Sequence, residues 1–563
     1  MTTLAPVVDR TPRPLRRRLA GSGRPAWSAA VVVTALLVSS PVIAVATTAA
    51  LAGAPSFSGD VGSQVLTTVG LVVLVALGTG VLGTSLAWLV SAHEFPGRSV
   101  LQWLLVLPLA MPAYILGFIF LSTFDYAGPV QSALRAVLGS DLAELPVRNL
   151  GGAAVVLTLT LYPYVFLLAR SAFGDTAPSA YDAARCLGAS RGRAFREVVL
   201  PLSRPALAAG LALVTMEVLT DFATVQYFGV QTVSVGVYLT WKGSYEFGSA
   251  VWLAMLVLLF AVTVLSLERA LRGRARFFQR GGRGRGLSRR RLTGSRAWAA
   301  TAACGLVAAA AFGLPLLRLL TWSVSSLLDG SAQLGQRGLL AYLTNSLVVA
   351  VVAAVACVAV SLVVAHALRL GGGRVLRGAA QATTFGYAVP GAVVGIGALA
   401  VVAALDRAVR ALGVEGGTGL LLTGSVAGVL LAYVVRFVAP AYQAVDSAFS
   451  RVPPSVSSSA LSLGATPGRL LRRVHLPLAR SGVAVATTLV LIDAIKELPL
   501  VLLLRPFGFS TLSVWVYELA NENFFAQAAV PALIIVVVAL VPVAITFARR
   551  DEESRERPGT LGP

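Results

Sequence analysis

Apolar residues run along this chain in stretches of about twenty or more, interrupted by short segments rich in arginine or in Pro/Gly turns. That pattern is not the alternation of a half-buried strand, and it is too long for barrel strands. A helix needs about 20 mainly apolar residues to cross the hydrocarbon core, and lipid leaves its backbone groups no partner outside the helix. Twelve transmembrane helices are therefore expected, over 28–52, 61–91, 101–122, 150–171, 206–229, 248–267, 298–322, 345–368, 376–404, 418–439, 481–504 and 527–548. The fold class is an all-α polytopic membrane protein.

Composition agrees with this. Of 563 residues, 56% are hydrophobic and only 13% charged, against roughly 25% in soluble domains, which excludes a water-soluble globular protein. The formal charge of +21 is carried almost wholly by arginine, with Lys242 and Lys496 the only lysines. Neither lysine follows a glycine, so the chain has no Gly-Lys-Ser/Thr phosphate loop and does not hydrolyse ATP by that route. Short loops retain arginine on the cytoplasmic side. The N-terminal segment (Arg10, Arg13, Arg16 to Arg18, Arg24) is placed there, and the span count puts 172–205, 269–297, 369–375, 440–480 and the tail from Arg549 on the same side. Both termini are expected to be cytoplasmic. Ala50-Leu51-Ala52 has the look of a signal cleavage site, but the run before it exceeds the 7–15 residues of a signal core, which favours an uncleaved anchor.

The Arg/Gly-rich stretch 269–297 reads as a flexible linker held at anionic lipid, in preference to an RNA-binding segment, so membrane lipid is an expected partner and nucleic acid is not. Cys186, Cys304 and Cys357 suggest no disulfide framework. His93, His366 and His475 are scattered, and no stable metal site is expected.

The linker divides two halves that repeat one another. Asp182-Ala183-Ala184, three residues, Gly188, nine residues and Val198-Val199-Leu200-Pro201 correspond at an offset of 276 to Ser458-Ser459-Ala460, Gly464 and Val474-His475-Leu476-Pro477. Glu217 and Asp221 correspond at the same offset to Asp493 and Glu497, and, upstream at an offset of 278, Pro112 with Gly117 corresponds to Pro390 with Gly395. Six helices per half make the repeats parallel, related by an axis along the membrane normal. The expected organisation is a basic segment 1–27, a first half 28–268 with a cytoplasmic loop 172–205, the linker 269–297, a second half 298–548 with a loop 440–480, and a tail 549–563. Each loop reads as a short helix opened by Pro178 or Pro453-Pro454, broken at the glycine and followed by a second basic helix; Thr466-Pro467 supplies an N-cap and a first-turn proline. Such an elbow suits docking in a groove of another protein.

These residues resemble the signature loop of permease subunits in binding-protein-dependent ABC importers, whose pattern is Glu-Ala-Ala, three residues, Gly, nine residues, an aliphatic, one residue and Leu-Pro. Asp182 stands at the acidic position of the first copy; Ser458 and Ser459 depart from the pattern in the second. The stretches Leu219 to Val230 with Thr232 to Trp241, and Lys496 to Phe507 with Val516 to Ala520, are similar to the fused two-half permeases of ferric iron importers. The resemblance implies that the chain is the membrane pore in a bacterial cytoplasmic membrane. It implies that a separate ATPase dimer grips the loops and carries ATP and Mg, with no cofactor on this chain, and that an extracytoplasmic binding protein delivers Fe(III).

Glu217 and Asp493 fall about 18 Å along their helices from the cytoplasmic end. The spacing of four places Glu217 with Asp221, and Asp493 with Glu497, on one helix face each. Intramembrane carboxylates face a wet path or a partner. Four of them around a two-fold axis suit a hard cation, and helix-to-helix glue, with Lys496 neutralising the second pair, is the competing reading. Tyr227, Tyr238, Trp241 and Tyr517 read either as cargo contacts or as interfacial aromatics. Thiamine, phosphonate, polyamine or inorganic-anion cargo, and an ion-coupled secondary transporter, are the alternatives to iron import.

Overall fold

The apolar runs become helices wherever the backbone closes its own hydrogen bonds, and stop where proline or a capping side chain intervenes. A computed structural model describes residues 24–51, 60–138, 146–175, 178–243, 246–272, 289–331, 338–371, 373–414 and 424–555. The basic segment before Arg24, residue Ala52 of the cleavage-like site and most of the Arg/Gly linker lie outside the described residues. In the first half the helices are α1 (Arg24–Leu51), α2 (Val61–Ala92), α3 (Arg98–Leu104), α4 (Ala113–Phe124), α5 (Pro129–Leu138) and α6 (Leu150–Asp175). They continue with α7 (Pro178–Cys186), α8 (Arg191–Ala194), α9 (Leu200–Thr220), α10 (Ala223–Tyr227), α11 (Val233–Lys242) and α12 (Phe247–Arg272). The second half has α13 (Ser295–Ala308), α14 (Leu314–Leu328), α15 (Leu339–Arg369), α16 (Arg374–Thr384), α17 (Gly391–Ala411) and α18 (Val426–Ser450). It ends with α19 (Pro454–Ser462), α20 (Pro467–Leu470), α21 (Leu476–Leu478), α22 (Arg480–Lys496), α23 (Pro499–Leu504), α24 (Leu512–Asn521) and α25 (Phe525–Arg555). One two-residue parallel pairing, β1 (His93–Glu94) with β2 (Arg290–Arg291), ties the end of the linker to the α2–α3 connection.

Among the described residues, ten helices are long and apolar enough to cross a membrane. The pair Pro467–Leu478 and Arg480–Lys496, bent by 80°, brings the number to eleven. The last helix contributes a shorter apolar stretch, Phe525–Val541. Several expected spans are broken rather than continuous. The run 101–122 divides into α3, a 3-10 turn at Leu107–Ala110 and α4; the run 376–404 divides into α16, a 3-10 turn at Phe385–Ala388 and α17. Proline explains both breaks: Met111 and Val389, each preceding a proline, are extended, and Pro112 and Pro390 start the next helix without needing an N–H partner. The runs 206–229 and 481–504 stop as long helices at Thr220 and Lys496. The start of the run 418–439, up to 423, lies outside the described residues; the rest becomes α18, which is capped by Ser425, whose hydroxyl accepts from the Ala427 N–H, and continues to Ser450.

Equivalent helices build equivalent cores. In the first half α2, α6 and α9 pack together; in the second, α15, α18 and α22 do the same. The halves then interlock through their first helices. α1 packs on α16 and α17 of the other half and on its own last helix α12, while α13 and α14 pack on α3 and α4 and on α25. A Cβ on Gly397 of α17 would overlap the Pro41 carbonyl of α1, so glycine sets how closely these two helices approach. Gly397→Val is expected to force them apart and cost about 1–3 kcal/mol. Gly305→Ala, where an added Cβ meets nothing within 4 Å, should be near neutral. Thermal unfolding of both variants in detergent checks this, and equal melting temperatures would contradict it.

Candidate functional site

The four intramembrane acids sit where two helices end. α9 stops at Thr220 and α22 at Lys496, and the next residues, Asp221 and Glu497, are extended, with ψ of 124° in both. Each carboxylate turns back to satisfy the start of the following short helix. Asp221 Oδ1 accepts from the Thr224 N–H at 2.9 Å, and Oδ2 from the Thr224 hydroxyl at 2.6 Å. Glu497 Oε1 accepts from the Leu500 N–H at 3.3 Å. Serines in equivalent positions close the exposed ends of the long helices: Ser234 donates to the Leu219 carbonyl at 2.6 Å, Ser513 to that of Glu497 at 2.7 Å. Asp221 and Glu497 therefore do not share a helix face with Glu217 and Asp493, as the spacing of four suggests, because the helices terminate just before them.

All four acids nevertheless line one cavity of about 130 Å3 between the halves, together with Arg436, Lys496, Tyr164 and Tyr387. Lys496 Nζ lies 2.8 Å from Asp493 Oδ1. Glu497 takes a different partner, Arg436 of α18, whose Nε is 3.5 Å from Oε2 and whose Nη1 donates to the Val389 carbonyl at 3.2 Å. The expectation that Lys496 serves both Asp493 and Glu497 is thus corrected, and Arg505, the next basic residue along the chain, pairs with Glu518. Among the described residues Glu217 makes no ion pair and no side-chain hydrogen bond. The cavity holds four carboxylates against two cations. Arg436 escaped the sequence reading although its signal was present, a lone arginine inside the apolar run 418–439.

Next to the cavity, Phe222, Tyr227, Tyr238 and Tyr517 form an aromatic cluster across the two halves. Phe222 stacks on Tyr238 at 4.9 Å and meets Tyr517 edge-on at 5.7 Å, and the Tyr517 hydroxyl donates to Gln226 Oε1 at 2.8 Å. Tyr227 and Tyr517 are buried, which removes them from an interfacial belt. Trp241 packs on Phe247.

The repeated loops form two helix-turn-helix elbows, α7 to α8 and α19 to α20. Gly188 and Gly464 hold φ of +86° and +83°. Around them the Ala189 N–H donates to the Ala184 carbonyl and the Ala465 N–H to that of Ala460, a left-handed C-cap that glycine adopts without strain. Ser190 and Thr466 then cap α8 and α20. Asp182, Ala183, Ser458 and Ser459 are exposed. So are Leu187 and Leu463 at the tips, 89% and 88% accessible, two apolar residues that the motif spacing did not single out. Each elbow ends in a π turn, Phe195–Val199 or Leu471–His475, directly before Leu200-Pro201 or Leu476-Pro477; the first runs straight into α9, whereas the second passes through α21 and the 80° bend before α22. Proline cannot donate to the preceding turn and its ring crowds it, so the turn widens; Ala309–Gly313 before Leu314-Pro315 does the same.

The elbows are seated differently. Trp88, Tyr181 and Phe195 pack beneath the first. At the second, His366 and His475, far apart in sequence, meet with their Nδ1 atoms 3.0 Å apart, and Ser457 Oγ lies 2.9 Å from His475 Nε2. No group of three or more His, Cys, Asp or Glu side chains that could hold a metal occurs among the described residues.

Two interlocked helical halves, each with a broken helix at a shared charged cavity and a projecting elbow, define a membrane permease. Residues 80–276 and 370–550 match the family of binding-protein-dependent transport system inner membrane components, and the chain belongs to that family twice over. It is 23% identical to the Fe(3+)-transport system permease protein FbpB 2 of Haemophilus influenzae, over 84% of this chain and 87% of that one. It is 30% identical to the sulfate transport system permease protein CysT of Salmonella typhimurium over 33% of this chain and 69% of the relative. It is 27% identical to a putative molybdenum transport system permease protein of Bacillus subtilis over 37% of this chain and 89% of the relative.

Arg436→Met leaves the buried Glu497 carboxyl without its partner, and is expected to cost about 3–5 kcal/mol; adding Glu497→Gln should restore most of it. Melting temperatures of the two singles and the double variant check the pairing, and strictly additive losses would contradict it.

Proposed function

We propose that this chain is the pore of an ATP-driven importer of ferric iron in a bacterial cytoplasmic membrane, with both termini cytoplasmic. The observation that carries the reading is the convergence of Glu217, Asp221, Asp493 and Glu497 on one cavity between the halves. Ion pairs and caps occupy three of the four carboxylates, which leaves Glu217 to meet a cation. Fe(III), a hard ion, prefers such oxygen donors. At about 130 Å3 the cavity lies below the 300–1,000 Å3 typical of drug-sized ligands, which disfavours thiamine- or polyamine-sized cargo. The full-length similarity to a Fe(3+)-transport permease supports the same choice, whereas the sulfate and molybdenum relatives match about a third of the chain.

Energy enters from a separate ATPase dimer that binds ATP and Mg and receives the elbows in surface grooves, with Asp182, Ala183, Ala184, Gly188, Leu200 and Pro201 forming one contact and Ser458, Ser459, Ala460, Gly464, Leu476 and Pro477 the other. An extracytoplasmic binding protein delivers the ion. The exposed Leu187 and Leu463 supply apolar anchors, and the elbows transmit a rigid-body push that rocks the halves.

Uptake into vesicles containing the complete complex tests the cargo. Glu217→Gln should lower Fe(III) uptake about tenfold or more with less loss of melting temperature than Glu497→Gln, because a negatively lined cleft concentrates the cation and Glu217, unlike Glu497, makes no direct ion pair. Sulfate or molybdate uptake in place of iron, or wild-type iron uptake by Glu217→Gln, would sink the assignment.

The elbows make a separate prediction. An added Cβ at Gly188 or Gly464 meets nothing within 4 Å, so Gly→Val strains only the backbone, by about 1–2 kcal/mol, and Gly→Asn much less. Substrate-stimulated ATP hydrolysis of the complex should fall with valine and survive with asparagine, while membrane insertion is kept in both. Normal coupling in the Gly188→Val/Gly464→Val double variant would refute it.

A further inference from the structure

A second cavity, of about 420 Å3, lies against the first elbow and takes no part in the path just described. Its floor is aromatic: Trp88 contacts Phe195 at 4.4 Å and Tyr181 at 5.8 Å between ring centres. Its wall is cationic, with Arg185, Arg191, Arg196 and Arg290 facing a single carboxylate, Asp182. Arg290 arrives there from the far end of the linker because β2 pairs with β1, His93 opposite Arg290 and Glu94 opposite Arg291, and the Leu292 N–H donates to the Glu94 carbonyl at 2.9 Å. The Glu94 carboxylate is already taken, by Arg98 at 3.1 Å and Arg289 at 3.8 Å. Among the described residues Arg191, Arg196 and Arg290 have no carboxylate partner. All four arginines are exposed to solvent at the cavity's mouth, and Arg185 also donates to the Ala189 carbonyl, so what sets this face apart is that they line one concave, aromatic-floored space.

We propose that this cavity binds a phosphate-bearing anion, the arginines holding the phosphate oxygens and the aromatic floor an attached ring or apolar portion. Guanidinium forks match phosphate oxygens two at a time, and the volume exceeds what inorganic phosphate alone would fill. His93 adds a neutral polar group: burial pushes its imidazole pKa down, and the charges of Arg290 and Arg191 push it further the same way. The duplication copied this site only in part. At the offset of 276 the second elbow keeps an arginine, Arg472, for Arg196, but carries Leu461 for Arg185, Pro467 for Arg191 and Ser457 for Tyr181, and it has no linker strand beside it in the described residues. Occupancy would bias the first elbow alone; that consequence rests on the coupling role proposed above, whereas binding itself does not.

Two sources carry this chemistry, an anionic phospholipid headgroup from the adjacent bilayer and a soluble nucleotide. Both are tested on the purified full chain. In neutral detergent, trinitrophenyl-ATP is titrated and followed by fluorescence. In nanodiscs of mixed phosphatidylglycerol and phosphatidylcholine, retained phosphatidylglycerol is counted by native mass spectrometry. One arm should show saturable binding that weakens about tenfold in Arg191→Gln and in Arg290→Gln, each losing a charged contact to phosphate, and is unchanged in Arg377→Gln, an exposed residue of α16. Saturable binding in neither arm, or equal binding by wild type, Arg191→Gln and Arg290→Gln, overturns the proposal. Either result stands independently of iron uptake and of ATPase coupling.

Discussion

A carboxylate carried into the middle of a membrane has to be answered by another charge, by hydrogen bonds or by water, because lipid offers none of these. The centre of this protein is arranged around that constraint. Arg436 answers Glu497, Lys496 answers Asp493, and Asp221 and Glu497 cap the backbone N–H groups left open where α10 and α23 restart after α9 and α22 stop short. Charge and helix termination thus solve each other: a broken helix exposes donors at membrane depth, and an acid at the break satisfies them. Glu217 makes no direct ion pair or side-chain hydrogen bond in this arrangement, although it lines the same cavity as Arg436 and Lys496.

Duplication supplies the frame, and departures from duplication supply the specialisation. The proline breaks at Pro112 and Pro390, the capping acids, the serines behind them and the glycine elbows recur in register. Yet Arg436 corresponds at the offset of 276 to Thr160, so only one half brings an arginine to the cavity. The seats of the elbows differ in the same way, aromatic under the first and built on a histidine pair under the second. An exchange of first helices, α1 across to α17 and α14 across to α4, locks these unequal halves together, so that neither buries its own broken helix alone.

Much of this was readable along the chain because it is local. Long apolar runs announce membrane helices, a positive-φ turn selects glycine at Gly188 and Gly464, proline marks the breaks, and an offset of 276 held from the elbows to the acids reveals the repeat without any three-dimensional knowledge. The acids Glu217, Asp221, Asp493 and Glu497 stand out in sequence because charge within an apolar run is rare. Tertiary structure alone decided who answers them. Whether Glu497 pairs with its neighbour Lys496 or with Arg436, 61 positions away, depends on how α18 packs against α22, and no periodicity encodes that. The same holds for the meeting of His366 with His475 and of Arg290 with the first elbow. Local backbone preferences are set residue by residue, whereas partners for a buried charge are set by which helix faces pack together, and that choice exists only once the whole chain has folded.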